Sequence, residues 1–137
     1  MSELVVIDSS YVIALERAER NFHDIQDLEL LLPTPVIAEI LSGVKMIENP
    51  AKAESSLQKL QQIQSVMTVV DFDVKAAEAF ATLNASSENR SAPRTVFDLM
   101  IASIAVSNRA MLLTLDRRAN WEKLSGVKLH PLSHKLH

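Results

Sequence analysis

Four carboxylates set at the ends of apolar segments carry the chemistry that can be read from this sequence: Asp8, Glu39, Asp98 and Asp116. Asp8 closes the run Leu4-Val5-Val6-Ile7, and Asp116 closes Ala110 to Leu115; both runs read as short buried strands. Asp98 stands three residues after Thr95 at the head of an apolar helix, and Glu39 lies in the first turns of another. In a parallel sheet all four can face the edge formed by the strands' carboxyl ends, where open α/β sheets bind ligands. Taken singly, each has an ordinary structural role. Asp8 can cap the next helix, Asp116 can make a turn, and Glu39 can be a solvated helix position. Asp98 can serve as a capping-box partner, a role worth roughly 0.5–2 kcal/mol by itself. Taken together they pose an electrostatic problem, because two carboxylates about 4 Å apart repel by roughly 4 kcal/mol at an effective dielectric near 20. A cation or protons must then offset them. Oxygen donors without Cys or clustered His select a hard ion, Mg²⁺ or Mn²⁺, over zinc. Such an ion can position and deprotonate a water and offset charge developing on a phosphate, so a phosphodiester is the natural substrate.

Other chemistries find less support. The chain has only Gly43 and Gly126, so it contains no dinucleotide-binding or Walker A glycine pattern, and it has no cysteine nucleophile. Ser9 and Ser10 have no histidine near them in sequence and read as helix caps or as supporting hydrogen-bond donors. His130, His134 and His137 crowd the tail, which reads as a disordered polar end. Tyr11 and Trp121 read as packing residues.

The elements that must position the acids alternate between strand and helix. After Leu4–Ile7, a helix capped by Ser9 or Ser10 runs from about Tyr11, and a second short one covers about Phe22 to Leu28. Leu30-Leu31-Leu32 reads as a strand stopped by Pro33-Thr34-Pro35. Thr34 as cap and Pro35 at the first position start a helix carrying Val36, Ile37, Ile40, Leu41, Val44 and Ile47. Small residues surround Glu39 on that helix, leaving room for something to approach. Asn49-Pro50 precedes an amphipathic helix to Ser65, Met67 to Val70 reads as a third strand, and Asp71 to Asp73 turns into a helix. That helix is expected to bury Val74, Ala77, Phe80 and Leu83. Ser86 to Arg94 reads as the longest polar loop, delivering the chain to Asp98. Beyond Asp116, Arg117 to Leu124 reads as a short helix capped by Gly126, and Val127-Lys128-Leu129 as a closing edge strand. The pattern predicts a three-layer α/β/α sandwich on a mainly parallel sheet of four to five strands, a single domain over residues 1–137.

A chain of 137 residues can bury a core without staples, and the absence of cysteine excludes a disulfide framework. The N-terminus lacks the basic flank and apolar length of a signal peptide, and no apolar stretch nears the roughly 20 residues of a membrane span, so a cytoplasmic protein is expected. The net charge of −3 is unevenly spread. Residues 1–86 hold six Lys or Arg against thirteen Asp or Glu, whereas residues 87–128 hold seven against four. The half carrying Asp98 and Asp116 is thus the basic one, which suits a phosphate-attracting surface as well as it suits ordinary scatter.

Three segments, taken in order, resemble the PIN-domain family, specifically its small VapC-type ribonuclease toxins. They are Val-Val-Ile-Asp-Ser-Ser-Tyr-Val-Ile-Ala-Leu, then Pro-Val-Ile-Ala-Glu-Ile-Leu-Ser-Gly-Val, then Phe-Asp-Leu-Met-Ile-Ala-Ser-Ile-Ala followed by Leu-Leu-Thr-Leu-Asp-Arg-Arg-Ala. The resemblance implies that Asp8, Glu39 and Asp98 form a metal site with Asp116 as its fourth acid, and that Ser10 and Thr114 hold accessory polar positions. It implies Mg²⁺- or Mn²⁺-dependent endonucleolytic cleavage of RNA by water, a homodimer, and inhibition by a small antitoxin in a type II toxin-antitoxin pair. Asn120-Trp121 stands where many relatives carry a further acid, so the implied site has four acids rather than five. Two other readings remain open at this stage: a PIN-like scaffold that binds RNA or protein without cutting, and a housekeeping RNA-processing nuclease with no antitoxin.

Overall fold

The structure, a computed structural model, describes residues 3–134. Strands β1 (Leu4–Ile7), β2 (Glu29–Pro33), β3 (Thr68–Val70) and β4 (Met111–Leu113) form one parallel sheet in the order β3-β2-β1-β4. Helices α1 (Ser9–Glu16), α2 (Thr34–Lys45), α3 (Pro50–Ser65), α4 (Val74–Ala85), α5 (Ser87–Ser91) and α6 (Val96–Ser107) flank it. The central strand β1 shows why the sheet must be covered on both sides. Val5, Val6 and Ile7 point alternately to opposite faces, and each has no exposed surface. This is the sandwich expected from the alternation of elements, and α1 to α3 pack on one another while α6 packs on α4, α2, β1 and β4. No helix among the described residues is long and apolar enough to cross a membrane.

The sheet stops at four strands. Val127-Lys128-Leu129, expected as a closing edge strand, supplies only one parallel bridge, Leu129 to Leu112. The Leu112 N–H donates to Lys128 O at 2.8 Å and its carbonyl accepts from His130 N at 2.8 Å, and then Pro131, which has no N–H, ends the ladder. The segment instead closes in a short 3₁₀ turn, Pro131–His134. His130 is buried there, with Nε2 3.2 Å from Glu3 Oε2 and Nδ1 accepting from Leu132 N. The expected disordered polar tail is therefore corrected at His130; His137 lies outside the described residues.

Helix α6 forms as its sequence predicts. Thr95 Oγ1 accepts from Asp98 N at 3.1 Å, capping the first turn, and Leu99, Ile101, Ala102, Ile104 and Ala105 are buried. Elsewhere the structure shifts the expectations. Helix α4 buries Ala76 and Leu83, with Phe80 half-buried, while Val74 is 73% exposed. The Asp73 side chain accepts from Ala76 N, making Val74 the outermost residue of the helix, and Phe72 meets Phe80 edge-on at 5.9 Å. These two anchors rotate the buried stripe away from Val74 and Ala77. The polar segment 86–94 is not simply a loop, since α5 forms within it, capped by Ser86. The helices expected near residues 22–28 and 117–124 shorten to 3₁₀ turns, Phe22–Asp24 and Trp121–Lys123. Gly126 follows the second at φ +85, a left-handed conformation that glycine adopts without strain.

Candidate active site

The strand order fixes where a ligand can enter. From β1 the chain steps outward to β2 and β3, then returns to place β4 on the other side of β1. The crevice beyond the carboxyl ends of β1 and β4 is the switch point at which open α/β sheets bind ligands. Ile7 pairs with Leu113, and Asp8 N donates to Leu113 O at 2.9 Å. Asp8 and Thr114 therefore leave adjacent strands side by side.

Asp8 occupies the cap position of α1, but its side chain makes no capping bond to that helix. The Ser9 or Ser10 cap expected from sequence is also absent, because the helix already begins at Ser9. Asp8 Oδ2 instead accepts from Ser10 Oγ at 2.9 Å and from Thr114 Oγ1 at 2.8 Å. An ionised carboxylate can only accept, so both hydroxyls donate to Asp8. Ser10 Oγ accepts from Leu115 N at 2.9 Å and Thr114 Oγ1 accepts from Asp116 N at 3.0 Å, so each hydroxyl has its own proton to give to Asp8. The two hydroxyls lie 3.2 Å apart. One oxygen of Asp8 is thus fully engaged, and Oδ1 is the oxygen that neither hydroxyl holds.

Asp8, Glu39, Asp98 and Asp116 line one cleft of about 570 Å³, together with Ser9, Ser10, Ile13, Leu115, Arg117 and Arg118. The four acids named from sequence do share a cleft, and so does Ser10. Thr114 lies just beneath it, buried against Asp8. Asp116 is held by its backbone as well as its side chain, with Oδ1 accepting from Arg118 N at 2.9 Å and its carbonyl accepting from Trp121 Nε1 at 2.9 Å.

Electrostatics bind three of the acids into one system. Burial raises the Asp8 carboxyl above the usual carboxylate range, against the opposing Thr114 and Ser10 hydrogen bonds, and Asp116 adds repulsion. Glu39 is raised by burial and by the charge of Asp8, with the Ser9 side chain opposing and Asp98 adding a smaller push. Asp98 is raised by burial; Thr95 opposes this, Asp8 and Asp116 reinforce it, and Arg94 draws it back. Glu39 Oε1 is buried without a hydrogen-bond partner among the described residues. A buried, unpartnered carboxylate oxygen facing other acids is the kind of atom that calls for a proton or a cation.

This donor set fits a hard divalent ion. All the candidate ligands are oxygens, and Glu39 Oε1 has an acceptor site to offer. Among the described residues no three His, Asp or Glu side chains stand grouped as a ready-made metal cage. Mg²⁺ does not require one, since it is usually held through one or two carboxylates, water and substrate phosphate.

Sequence reasoning passed over several residues that the geometry brings to the site. Trp121, read only as packing, is buried as expected but also tethers the Asp116 carbonyl. Arg117 and Arg118 line the cleft, and Arg118 Nε lies 3.8 Å from Asp116 Oδ1. Their position directly after the fourth acid was the only available signal.

A family model for the PIN domain matches residues 5–126 of the chain. Ribonuclease VapC1 of Rickettsia felis (strain ATCC VR-1525 / URRWXCal2) is 24% identical over 132 residues, spanning 96% of this chain and 98% of that protein. The crystal structure of VapBC2 from Rickettsia felis bound to a promoter DNA fragment has a TM-score of 0.82 at 19% identity, over 93% of this chain and 97% of that one. DNA-bound VapBC from Salmonella typhimurium gives 0.80 at 20% identity, over 95% and 98%. At these identities the structural likeness establishes a common fold.

Proposed function

Because the chain belongs to the PIN-domain family, matched over residues 5–126, we propose that it is a metal-dependent endoribonuclease and the toxin of a type II toxin-antitoxin pair. The observation that carries this reading is Glu39 Oε1, buried and unpartnered in a cleft where burial raises Asp8, Glu39 and Asp98, the charge of Asp8 pushes Glu39 and Asp98 further, and Asp116 pushes Asp8. The names of the relatives, a ribonuclease and members of VapBC complexes, favour RNA as substrate and a small antitoxin as partner. We also place the protein in the cytoplasm, as a homodimer.

Asp8, Glu39, Asp98 and Asp116 would hold Mg²⁺ or Mn²⁺. When bound, that ion supplies Lewis acidity toward a phosphoryl oxygen and lowers the pKa of water. Ser10 and Thr114 keep Asp8 in one orientation by holding Oδ2, so that Oδ1 is presented the same way each time. The proton that water loses as its oxygen attacks phosphorus would pass to a carboxylate oxygen of this cleft that the ion does not engage. The P–O bond opposite then breaks, the leaving oxygen takes a proton from solvent water, and the carboxyl returns its proton to solvent. Arg117 and Arg118, at the rim of the cleft, are placed to meet flanking phosphates.

Incubating the purified protein with total RNA, with and without EDTA, and mapping the fragment ends tests the activity. Discrete EDTA-sensitive cuts are expected, and intact RNA in the presence of Mg²⁺ and Mn²⁺ would leave a non-cutting scaffold as the better reading. A short adjacent gene for a DNA-binding protein separates a toxin from a housekeeping nuclease.

A further inference from the structure

Arg94 precedes the Thr95 cap and stands four residues before Asp98, and its guanidinium is used in an unusual way. Nε donates to Ala119 O at 2.8 Å and Nη2 to Asn120 O at 2.9 Å, while Nη1 donates to Ala92 O at 3.0 Å and Glu88 O at 3.2 Å. Four backbone carbonyls from two segments distant in sequence thus meet on one side chain. Its fork is spent on main chain rather than on an acid. Asn120, one of the two residues gripped across the gap, sits at φ 49, a left-handed conformation that asparagine tolerates better than most residues other than glycine. The next residue, Trp121, is 1% exposed and donates from Nε1 to the Asp116 carbonyl at 2.9 Å. A chain of direct contacts therefore runs from the head of α6, through Arg94 and the 119–121 turn, to Asp116. A recess of about 420 Å³ is lined by Arg94, Thr95, Asp98, Asp116 and Asn120 among others, so the clamp and the two acids border the same space.

We propose that Arg94 and Trp121 are positioning residues that lock the Asp116 turn to the head of α6 and so set the placement of Asp116 relative to Asp98. The catalytic part of the claim rests on the nuclease function proposed above; the structural part does not. Lysine cannot replace the arginine, because a single ammonium cannot span the Ala119 and Asn120 carbonyls while also reaching Ala92.

Trp121 is the chain's sole tryptophan, so its indole N–H resonance reports the tether without background. The full chain is compared with Arg94→Ala, Arg94→Lys and Trp121→Phe by circular dichroism, by the indole resonance and its hydrogen exchange, and by RNA cleavage. In folded Arg94→Ala and Arg94→Lys the indole N–H should shift and exchange faster, and kcat should fall on the order of 10²-fold with KM little changed, as expected for a misplaced catalytic group. Should Arg94→Ala fail to fold, Arg94→Lys and Trp121→Phe carry the test. Trp121→Phe keeps a ring but loses the donor; it should show a similar loss of kcat and add little when combined with Arg94→Lys. An unaltered indole resonance in the folded Arg94 variants, full rescue by lysine, or additive losses in the double variant would each overturn the proposal. If the wild type cuts no RNA, the nuclease reading fails, and the indole measurement still decides whether the clamp exists.

Discussion

Thr114 Oγ1 donates to Asp8 Oδ2 at 2.8 Å across 106 positions of sequence. The bond follows directly from the strand order, since β1 and β4 are parallel neighbours with Ile7 opposite Leu113, and the next residue on each strand meets the other at the sheet's edge. Thr114 also accepts from Asp116 N, so one hydroxyl joins the first and fourth acids. Replacing it with valine keeps the shape but removes both bonds, leaving the Asp116 N–H without its acceptor. Thr114→Val should therefore lose about 1–3 kcal/mol of stability in urea denaturation and lower cleavage. Wild-type stability and activity in this variant would show that the hydroxyl link has no role.

The raised carboxyls make a signed prediction about pH. For Asp8, Glu39 and Asp98 the folded chain binds a proton more readily than the unfolded chain does. Their charged forms therefore destabilise the fold above their folded pKa values, and this effect vanishes below the ordinary carboxylate range. Without divalent ions, the stability of Glu39→Gln relative to wild type should grow as pH rises through that window and then level off. Thermal melts across the pH range read this difference directly, and a difference that shrinks with rising pH contradicts the electrostatic account.

The same charges predict a response to cations. Mg²⁺ or Mn²⁺ should raise the wild-type Tm in a concentration-dependent way, the added stability reaching about 2.7 kcal/mol at a hundred times the dissociation constant. In Asp8→Asn or Glu39→Gln the shift should be largely lost. Equal shifts in wild type and both variants would place cation binding elsewhere on the molecule.

The Arg118 side chain is 97% exposed, its Nε 3.8 Å from Asp116 Oδ1. Arg118→Gln should leave the Tm unchanged but weaken RNA binding. Each phosphate contact removed reduces the slope of log affinity against log salt by about 0.7 for a single strand. An identical slope in wild type and variant would remove Arg118 from the RNA path.

How much of this is visible in the residues depends on the kind of interaction. Strand β1 and helix α6 could be read closely because their signals are local: an uninterrupted apolar run, and Thr95 three residues ahead of Asp98. Convergence of the four acids in one cleft also followed, since parallel strands bring their carboxyl ends to one edge. The burial of His130 did not follow, because it depends on Leu112 being gripped from both sides by a segment that is not a strand. Nor did the α4 stripe, whose rotation is set by the Asp73 cap and by Phe72 outside the helix. Arg94 left no pattern at all, because its partners are carbonyls, which every residue carries.

Asp98→Asn is the sharpest probe of the acidic cleft. The Thr95 cap accepts from the Asp98 backbone N–H and so survives the substitution, which removes the charge and leaves the helix start in place. Wild type and Asp98→Asn, purified identically, are assayed on RNA in Mg²⁺ or Mn²⁺ and again in EDTA. The account predicts cleavage by the wild type with metal alone and none by the variant in either condition. Equal cleavage by the two proteins, or cleavage that persists in EDTA, would contradict it.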